Sequence, residues 1–369
     1  MRVNRIFLNG FRNYDMETAE LSSGINIISG RNAQGKTNLL EAVYMLTGGK
    51  SFRTRFDKEL IGFDCDFAEI LADINAHERE QTVKILLKNG ERKQIFQNGV
   101  KKTGAKLSDS LTAVLFCPDD LSIVKDGAAA RRRLMDMAIC QLRPGYAKLL
   151  SDYGKLYENK LRILKDWREK PGLLSALDDF SQGMCRVTAQ IIRYRASFAK
   201  RLRDEAVPIH REFSGGGEEL DIQYKTVSTV TDPMAGYGEV CAQVYEHQAA
   251  RRQAELDSQS CLTGAHKDDL EIFINDKPAR SFASQGQTRT AALSIKLAER
   301  EIHLVETGEY PVLLLDDVLS ELDAKRQDFV LNRIGQGQTL ITCCEDERIM
   351  ERTGGKIFSV ENGRIKGGK

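Results

Sequence analysis

The most constraining feature of this 369-residue sequence is an octapeptide near its N-terminus, GRNAQGKT at residues 30–37. It fits the pattern G-x-x-x-x-G-K-[ST], in which the glycines let consecutive backbone N–H groups surround phosphate oxygens. A short apolar run precedes Gly30, and residues 38–46 have the apolar spacing of a helix. Strand, glycine loop and helix in this order predict a phosphate site at a helix N-terminus. A glycine turn that binds nothing is the alternative.

Within this motif, individual side chains have distinct predicted roles. Lys36 is predicted to supply a positive charge to the β- and γ-phosphates, and the Thr37 hydroxyl to coordinate Mg²⁺. The predicted nucleotide-binding residues are Gly30, Arg31, Asn32, Ala33, Gln34, Gly35, Lys36, Thr37 and Asn38.

A second segment, PVLLLDDVLSELD at residues 311–323, ends an apolar strand in two carboxylates. Beside a phosphate loop, this arrangement suits a metal ion and an attacking water. Asp316 is predicted to join Thr37 at the metal, and Asp317 to orient or deprotonate the nucleophile. Alternatively, the two aspartates cap the helix that follows the strand.

A third motif is SQGQ at residues 284–287, directly before a long helical pattern. Its serine and glycine offer hydroxyl and backbone donors to an anion, although an ordinary helix N-cap explains the same residues. The phosphate loop and the acidic strand are 316 − 36 = 280 positions apart, which is too far for a compact kinase core. One head assembled from both chain ends, with an inserted arm, accounts for this separation.

The remaining patterns indicate an α/β protein. Residues 68–100 alternate like an antiparallel sheet, with Asn89-Gly90 and Asn98-Gly99 as turns. Apolar residues at helical spacing over 142–156 and 173–198, separated by a Pro-Gly pair, predict a helical hairpin. The predicted domains are a head formed by 1–140 and 257–369, and a mainly helical arm formed by 141–256.

Charge is nearly balanced, with 54 Lys and Arg against 53 Asp and Glu, so nucleic-acid binding would need local basic clusters. Because no aromatic platform for single strands is visible, duplex or junction binding through the backbone is favoured. The same residues could be ordinary solvated surface, and Arg53 could instead reach nucleotide. The candidate DNA-binding residues are Lys50, Arg53, Arg55, Lys84, Lys93, Lys101, Lys102, Arg131, Arg132 and Arg133.

The eight cysteines are scattered without a C-x-x-C pair, which favours reduced thiols in a cytosolic protein over zinc or disulfides. No stretch is long and apolar enough for a transmembrane helix, and the N-terminal residues lack the apolar core of a secretory signal. We therefore expect no membrane contact.

The three motifs, in this order, resemble the ABC-type ATPase heads of SMC-like DNA repair proteins, and longer blocks resemble the RecF family. The blocks are FRNY (11–14), GRNAQGKTNLLEA (30–42), KSFRT (50–54), LFCPDDLSIVKDGAAARRRLMD (115–136), TGAHKDDL (263–270) and SQGQ (284–287). They are spread over essentially the whole chain.

The resemblance implies an ABC-type P-loop head with an added antiparallel β subdomain and an inserted helical arm, called lobe II. It implies an ATP-dependent homodimer with slow, DNA-stimulated ATP hydrolysis. It also implies binding to duplex, gapped and single-stranded DNA, cooperation with RecR and RecO in loading recombinase, and a contribution to the SOS response. Such a protein would be cytoplasmic and nucleoid-associated. ATP would lie between two subunits, with Ser284, Gln285, Gly286 and Gln287 of one facing the phosphate loop of the other.

The sequence departs from the general ABC pattern at three places. Asp317 stands where a glutamate is usual, which predicts slow turnover. No histidine follows the next strand, where Cys343, Cys344 and Glu345 stand, and Asp119 precludes assigning the usual glutamine. An ATP-gated scaffold whose partners supply DNA specificity remains an alternative. The SQGQ tetrad and the 280-position separation disfavour a metabolic kinase, and the inserted arm disfavours a transporter subunit.

Overall fold

The computed structural model describes residues 1–107, 110–344 and 352–367. The strands are β1 (Arg2–Phe11), β2 (Tyr14–Glu20), β3 (Ile25–Ser29), β4 (Phe67–Ala76), β5 (Arg79–Lys88), β6 (Gln94–Gln97), β7 (Val100–Lys102), β8 (Ala113–Phe116), β9 (Leu220–Lys225), β10 (Asp269–Ile274), β11 (Lys277–Pro278), β12 (Val312–Leu315), β13 (Thr339–Cys343), β14 (Lys356–Glu361) and β15 (Arg364–Gly367). The α-helices are α1 (Lys36–Met45), α2 (Ser122–Lys125), α3 (Ala128–Leu142), α4 (Tyr146–Asp166), α5 (Leu174–Phe213), α6 (Tyr237–Ser258), α7 (Ala279–Phe282), α8 (Gln285–Thr307) and α9 (Ala324–Arg333).

The chain forms two compact units. The head unit comprises Met1–Leu121 and Leu293–Lys369, and the arm unit comprises Ser122–Ala292. The arm unit is larger than the segment 141–256 that the sequence patterns delimit. Ion pairs tie two of the additional parts to α5, since Arg195 of α5 binds Asp136 of α3 and Asp268, the residue before β10, each at 2.8 Å.

The central sheet of the head unit has the order β15-β14-β3-β13-β12-β8. All its strands are parallel except β15, which pairs antiparallel with β14. β8, β12 and β13 are buried at every residue, as expected for strands covered on both faces. Because the strands are parallel, β3, β12 and β13 end at one edge of the sheet, where parallel α/β sheets place their ligand sites.

A second, antiparallel sheet of the head unit has the order β2-β1-β4-β5-β6-β7. Its strands alternate between buried and less buried residues, and this confirms the sheet predicted from residues 68–100. Asn98-Gly99 forms the predicted tight turn with both φ angles positive. The turn between β4 and β5 is also left-handed but uses His77 and Glu78, with φ of 52° and 58°, which the sequence did not signal.

The arm unit contains the predicted helical hairpin. α4 packs against α5, which runs for 40 residues and continues well beyond the apolar pattern that indicated it. α6 also packs against α5, and the three-stranded sheet β11-β10-β9 completes the unit. Within the described residues, no helix is both long and apolar enough to traverse a bilayer.

His303 is a buried polar side chain in the head-unit part of α8. It has no solvent exposure, and neither ring nitrogen has a hydrogen-bond partner within the described part of the chain. The pKa of His303 is lowered to about 3, first by burial and then by the ammonium of Lys296. The folded chain therefore keeps this imidazole neutral at pH values where the unfolded chain protonates it.

This difference makes the folded state acid-sensitive. As the pH falls below the pKa of His303 in the unfolded chain, the unfolded chain binds a proton that the folded chain does not bind, and the free energy of unfolding decreases. Between about pH 8 and about pH 5, we expect the free energy of unfolding of the wild type to fall by about 2 kcal/mol more than that of His303→Leu. Urea denaturation at the two pH values measures both quantities. Equal losses in the two proteins would contradict the prediction.

Candidate nucleotide site

The phosphate loop connects β3 to α1, as the sequence predicts, and its first glycine is required by close packing. Gly30 has φ of 152°, and a Cβ atom there would lie 2.3 Å from the Val360 carbonyl oxygen. Gly35 has φ of 120° at the N-cap of α1, where a Cβ would lie 2.8 Å from Asn13 Oδ1. Both positions therefore exclude larger residues on steric and conformational grounds.

Two segments distant in sequence hold the loop in place. Tyr14 Oη donates to the Gly35 carbonyl at 2.9 Å, and Asn13 Nδ2 donates to the Gln34 carbonyl at 2.8 Å. From the turn between β14 and β15, the Gly363 amide donates to the same Gln34 carbonyl at 3.0 Å. The sequence pattern of the loop gave no sign of this second support.

Lys36 directs its ammonium group into the loop. Nζ donates to the carbonyl oxygens of Gly30 at 2.7 Å and Arg31 at 3.2 Å, and the residue is only 4% exposed. Cys344 Sγ lies 3.3 Å from the same nitrogen and donates to Asn32 Oδ1 at 2.9 Å. The positive charge is thus held among backbone carbonyls at the place where the motif predicts phosphate.

Arg31, Asn32 and Ala33 form the exposed tip of the loop. Ala33 has φ of 63°, so the chain turns at the tip through a left-handed residue other than glycine. At the far end of the motif, Asn38 Nδ2 donates to Asn13 Oδ1 at 2.8 Å.

The two predicted metal ligands are in direct contact. Thr37 Oγ1 donates to Asp316 Oδ1 at 2.9 Å, although the two residues are 279 positions apart. Asp316 is 7% exposed, and burial raises its pKa, whereas hydrogen bonds from Thr342 and Thr37 act in the opposite direction. A buried carboxylate beside a threonine hydroxyl is an oxygen donor set that suits Mg²⁺. The residues present therefore fit the metal that the motif implies.

Asp317 follows in a left-handed conformation, with φ of 52°. Its backbone amide donates to Thr342 Oγ1 at 2.8 Å. Its Oδ1 atom is buried, and among the described residues it has no hydrogen-bond partner. This oxygen therefore keeps its capacity to accept a hydrogen bond, and the role of Asp317 in orienting a nucleophile stays a prediction.

Glu41 organises the side of α1 next to the loop. Arg12 binds it through two hydrogen bonds of 2.9 and 2.8 Å, and Ser51 Oγ donates to it at 2.5 Å. Arg53 lies 3.6 Å from the same carboxylate and donates to Asn38 Oδ1 at 2.7 Å. Arg53, considered above for either DNA or nucleotide, is therefore placed beside the nucleotide motif.

The SQGQ tetrad forms a capping box at the start of α8. Ser284 N donates to Gln287 Oε1 at 2.9 Å, and Gln287 N donates to Ser284 Oγ at 3.2 Å. Ser284 and Gln285 are exposed, and Gly286 and Gln287 are partly buried. In the single chain, the tetrad thus acts as a helix N-cap. Ser284 and Gln285 nevertheless remain accessible to another molecule.

The predicted DNA-binding residues divide into two groups. Lys50, Arg55 and Lys101 are exposed and Lys102 is partly exposed, whereas Lys84 pairs with Glu69 at 2.8 Å and Lys93 with Asp57 at 2.7 Å. The described surface of the head unit therefore offers some of these charges to solvent and pairs others.

Arg131 requires a correction. It is 4% exposed and binds both carboxylate oxygens of Asp269, at 2.7 and 2.9 Å, so it is a structural residue of the arm unit and not a surface contact. Arg132 donates to the Asp268 carbonyl at 2.7 Å, and Arg133 is exposed. Of three consecutive arginines in one helix, one is therefore buried, and the sequence alone does not reveal which.

Asp119 and Glu345 remain without an assigned role. Asp119, after β8, is exposed, whereas its neighbour Asp120 accepts a hydrogen bond from the Cys117 amide at 2.8 Å. Glu345 lies outside the described residues. Among the residues that the structure describes, no group of three or more His, Cys, Asp or Glu side chains could hold a metal, and the cysteines form no disulfide bonds with one another.

Comparisons with known proteins agree with this fold. Residues 2–366 match the family model described as RecF/RecN/SMC N terminal domain. A structure of the Smc head bound to the C-winged helix domain of ScpA superposes with a TM-score of 0.58 at 18% identity, covering 99% of this chain and 96% of that one. The fold, together with the phosphate loop and the acidic strand, thus defines an ABC-type P-loop ATPase head of the SMC class.

More similar relatives narrow the class. The DNA replication and repair protein RecF of Acetivibrio thermocellus is 39% identical over 99% of both chains, and that of Clostridioides difficile is 36% identical over 99% of this chain and 98% of its own. The recombination mediator protein RecF-ATPrS of the RecFOR pathway superposes with a TM-score of 0.92 at 32% identity, covering 99% of this chain and 98% of that one. The chain belongs to the RecF family.

The packing of Gly30 leads to a testable prediction. Gly30→Ala places a methyl group against the Val360 carbonyl, so the loop must shift and ATP affinity should fall by more than about tenfold. Gly24→Ala is the matched control, because no described atom lies within 4 Å of the added carbon and Gly24 is outside the loop. Titration of a fluorescent ATP analogue measures the affinity of each variant, and equal affinities in the two variants would contradict the prediction.

Proposed function

We propose that this chain is an ATP-dependent DNA-binding protein of recombinational DNA repair and replication, in which a slow ATPase acts as a switch. The contact between Thr37 and Asp316 carries the proposal, because it joins the phosphate loop to the acidic strand. Membership of the RecF family supports the biological setting, since the relatives are named DNA replication and repair proteins and one solved RecF structure is of RecF-ATP.

In this proposal, the chain's own residues bind and orient ATP. The loop amides between Gly30 and Thr37 hold the phosphate oxygens, and the Lys36 ammonium moves from the carbonyls that it now contacts to the β- and γ-phosphates. Thr37 and Asp316 would hold Mg²⁺, which neutralises charge that develops on the phosphate oxygens. Arg53 adds a second positive charge next to this site.

Asp317 is proposed to orient the attacking water and accept its proton. Its side chain is one methylene shorter than the usual glutamate, so the carboxylate reaches less far towards the nucleophile, and slow hydrolysis follows. Slow hydrolysis suits a switch better than a motor, because the ATP-bound state then lasts long enough to act on DNA.

Two copies are proposed to enclose ATP between them. Ser284 and Gln285 are exposed at the N-terminus of a 23-residue helix, so the hydroxyl and the helix amides can reach a phosphate on another subunit. The capping box holds Ser284 in place before the partner arrives. ATP would then link the two subunits, and hydrolysis would release them.

Ser284→Arg tests this arrangement. The arginine fills the space between subunits, so we expect ATP binding to each monomer to be retained and ATP-dependent dimerisation to be lost. Asp317→Asn should bind ATP and accumulate as the dimer, because hydrolysis no longer releases it. Light scattering with and without ATP measures both results.

Gly145→Arg controls for the added charge and for the altered helix N-cap. Gly145 is the exposed N-cap of α4 in the arm unit, and no described atom lies within 4 Å of an added Cβ. This variant should dimerise like the wild type. An ATP-dependent dimer of Ser284→Arg would show that the tetrad does not lie between subunits.

DNA binding is proposed to depend on exposed lysines and arginines of the ATP-bound dimer. Lys101 and Lys102 lie on β7, the edge strand of the antiparallel sheet, and supply charge without sequence readout. Gapped and duplex DNA are the proposed targets, with single-stranded DNA and proteins of the RecR and RecO type as further partners in loading recombinase. A contribution to the SOS response and a nucleoid-associated location in the cytoplasm complete the proposal.

The double substitution Lys101→Ala and Lys102→Ala should weaken DNA binding equally for all sequences. If both lysines contact phosphates, the slope of log affinity against log salt should fall by roughly 2. Lys366→Ala, at an exposed lysine paired with Glu361, is the control. Fluorescence anisotropy at several salt concentrations measures the slope.

The second candidate function, an ATP-gated scaffold, predicts a different result in the same experiment. If protein partners supply the DNA specificity, the isolated chain with ATP should bind duplex and gapped DNA no better than the nucleotide-free chain. Higher affinity in the ATP state favours the leading proposal.

A further inference from the structure

Thr342 links the two acidic residues of the candidate site. It is the penultimate residue of β13, is 1% exposed, and lies beside β12 in the central sheet. Its Oγ1 atom donates to Asp316 Oδ1 at 2.9 Å and accepts from the Asp317 amide at 2.8 Å. One hydroxyl therefore contacts both the predicted metal ligand and the backbone of the predicted base.

The chemistry of a hydroxyl explains why threonine suits this position. A hydroxyl has one proton to donate and lone pairs to accept, so it can satisfy a carboxylate and an amide at the same time. Valine has the same shape but can do neither, and it would leave the Asp317 amide without this partner. Serine keeps the hydroxyl and loses only the methyl group.

The bond to Asp317 holds a backbone conformation that side chains rarely adopt. The φ angle of 52° is left-handed, which is unfavourable for a residue other than glycine because Cβ comes close to a backbone carbonyl oxygen. The Thr342 acceptor stabilises that conformation and thereby fixes the direction in which the Asp317 side chain leaves the strand. Asp317 Oδ1, buried and without a partner in the described residues, depends on this direction to face a nucleophile.

The bond to Asp316 fixes the neighbouring carboxylate from a second side. Asp316 Oδ1 accepts hydrogen bonds from Thr37 and from Thr342, which come from α1 and β13. Hydroxyl contacts from two different elements restrict the rotation of the carboxylate. Partners of this kind commonly orient the ligands of metal sites.

We propose that Thr342 is a positioning residue for ATP hydrolysis, which sets the geometry of Asp316 and Asp317 through its single hydroxyl group. The inference rests on the proposed function, because it assigns Thr342 to the hydrolytic step of the same site. It predicts that the hydroxyl, and not the volume of the side chain, is what the site needs.

Thr339 provides a matched control on the same strand. It is fully buried, and its hydroxyl has no hydrogen-bond partner within the described part of the chain. Thr339→Val and Thr342→Val therefore make the same chemical change in β13, and only the second removes contacts to the acidic residues.

The experiment compares Thr342→Val, Thr342→Ser and Thr339→Val in the full chain. For Thr342→Val, we expect kcat to fall by roughly tenfold to a hundredfold, while the dissociation constant of ATP changes by less than about threefold. Thr342→Ser should restore kcat to within about threefold of the wild type, and Thr339→Val should leave it unchanged. Thermal unfolding of each variant shows that it is folded.

A readout independent of hydrolysis is amide hydrogen exchange at Asp317 in the nucleotide-free chain. Thr342→Val should accelerate exchange there, whereas Thr342→Ser and Thr339→Val should not. Unchanged exchange at Asp317 in Thr342→Val, or an equal loss of kcat in Thr339→Val, would overturn the proposal. A wild-type chain that binds ATP without hydrolysing it would instead contradict the proposed function, and exchange at Asp317 would still decide whether Thr342 positions the acidic residues.

Discussion

The hydrogen bond between Thr37 and Asp316 is the interaction on which the head unit depends, because it joins the first and last thirds of the chain at one point. It can form only if β3 and β12 end at the same edge of one parallel sheet. That condition is met because β13 lies between them and is parallel to both. The fold thus brings a glycine loop and an acidic strand, 279 positions apart, within one hydrogen bond of each other.

The motifs and most elements could be predicted from the sequence because their signals are local. The phosphate loop, the acidic strand, the antiparallel sheet and the helical hairpin are each written in one continuous segment. The residues that hold the site in place, in contrast, cannot be recognised from one continuous segment. Gly363, Asn13 and Thr342 act through contacts with other segments of the chain, and although Asn13 lies in the FRNY block, no local pattern at these residues indicates which atoms they contact.

Burial explains where the charge pattern was misleading. Arg131, Arg132 and Arg133 look alike in sequence, yet Arg131 is inside the arm unit because Asp269 is there to neutralise it. Ser284, unlike Arg131, stays exposed after it has formed its structural contact. Its capping role and its proposed contact with another subunit are therefore compatible. In both cases, the residue type was informative and its surroundings decided what the residue does.

The position of β3 in the central sheet has a consequence for biosynthesis. Both of its neighbours, β13 and β14, come much later in the sequence, and β13 begins 339 − 29 = 310 positions after β3 ends. During translation, the phosphate loop therefore emerges early but lacks its flanking strands until residues 339–361 have been synthesised. A chain that stops before residue 339 would carry the loop sequence without either of the strands that flank β3 in the sheet.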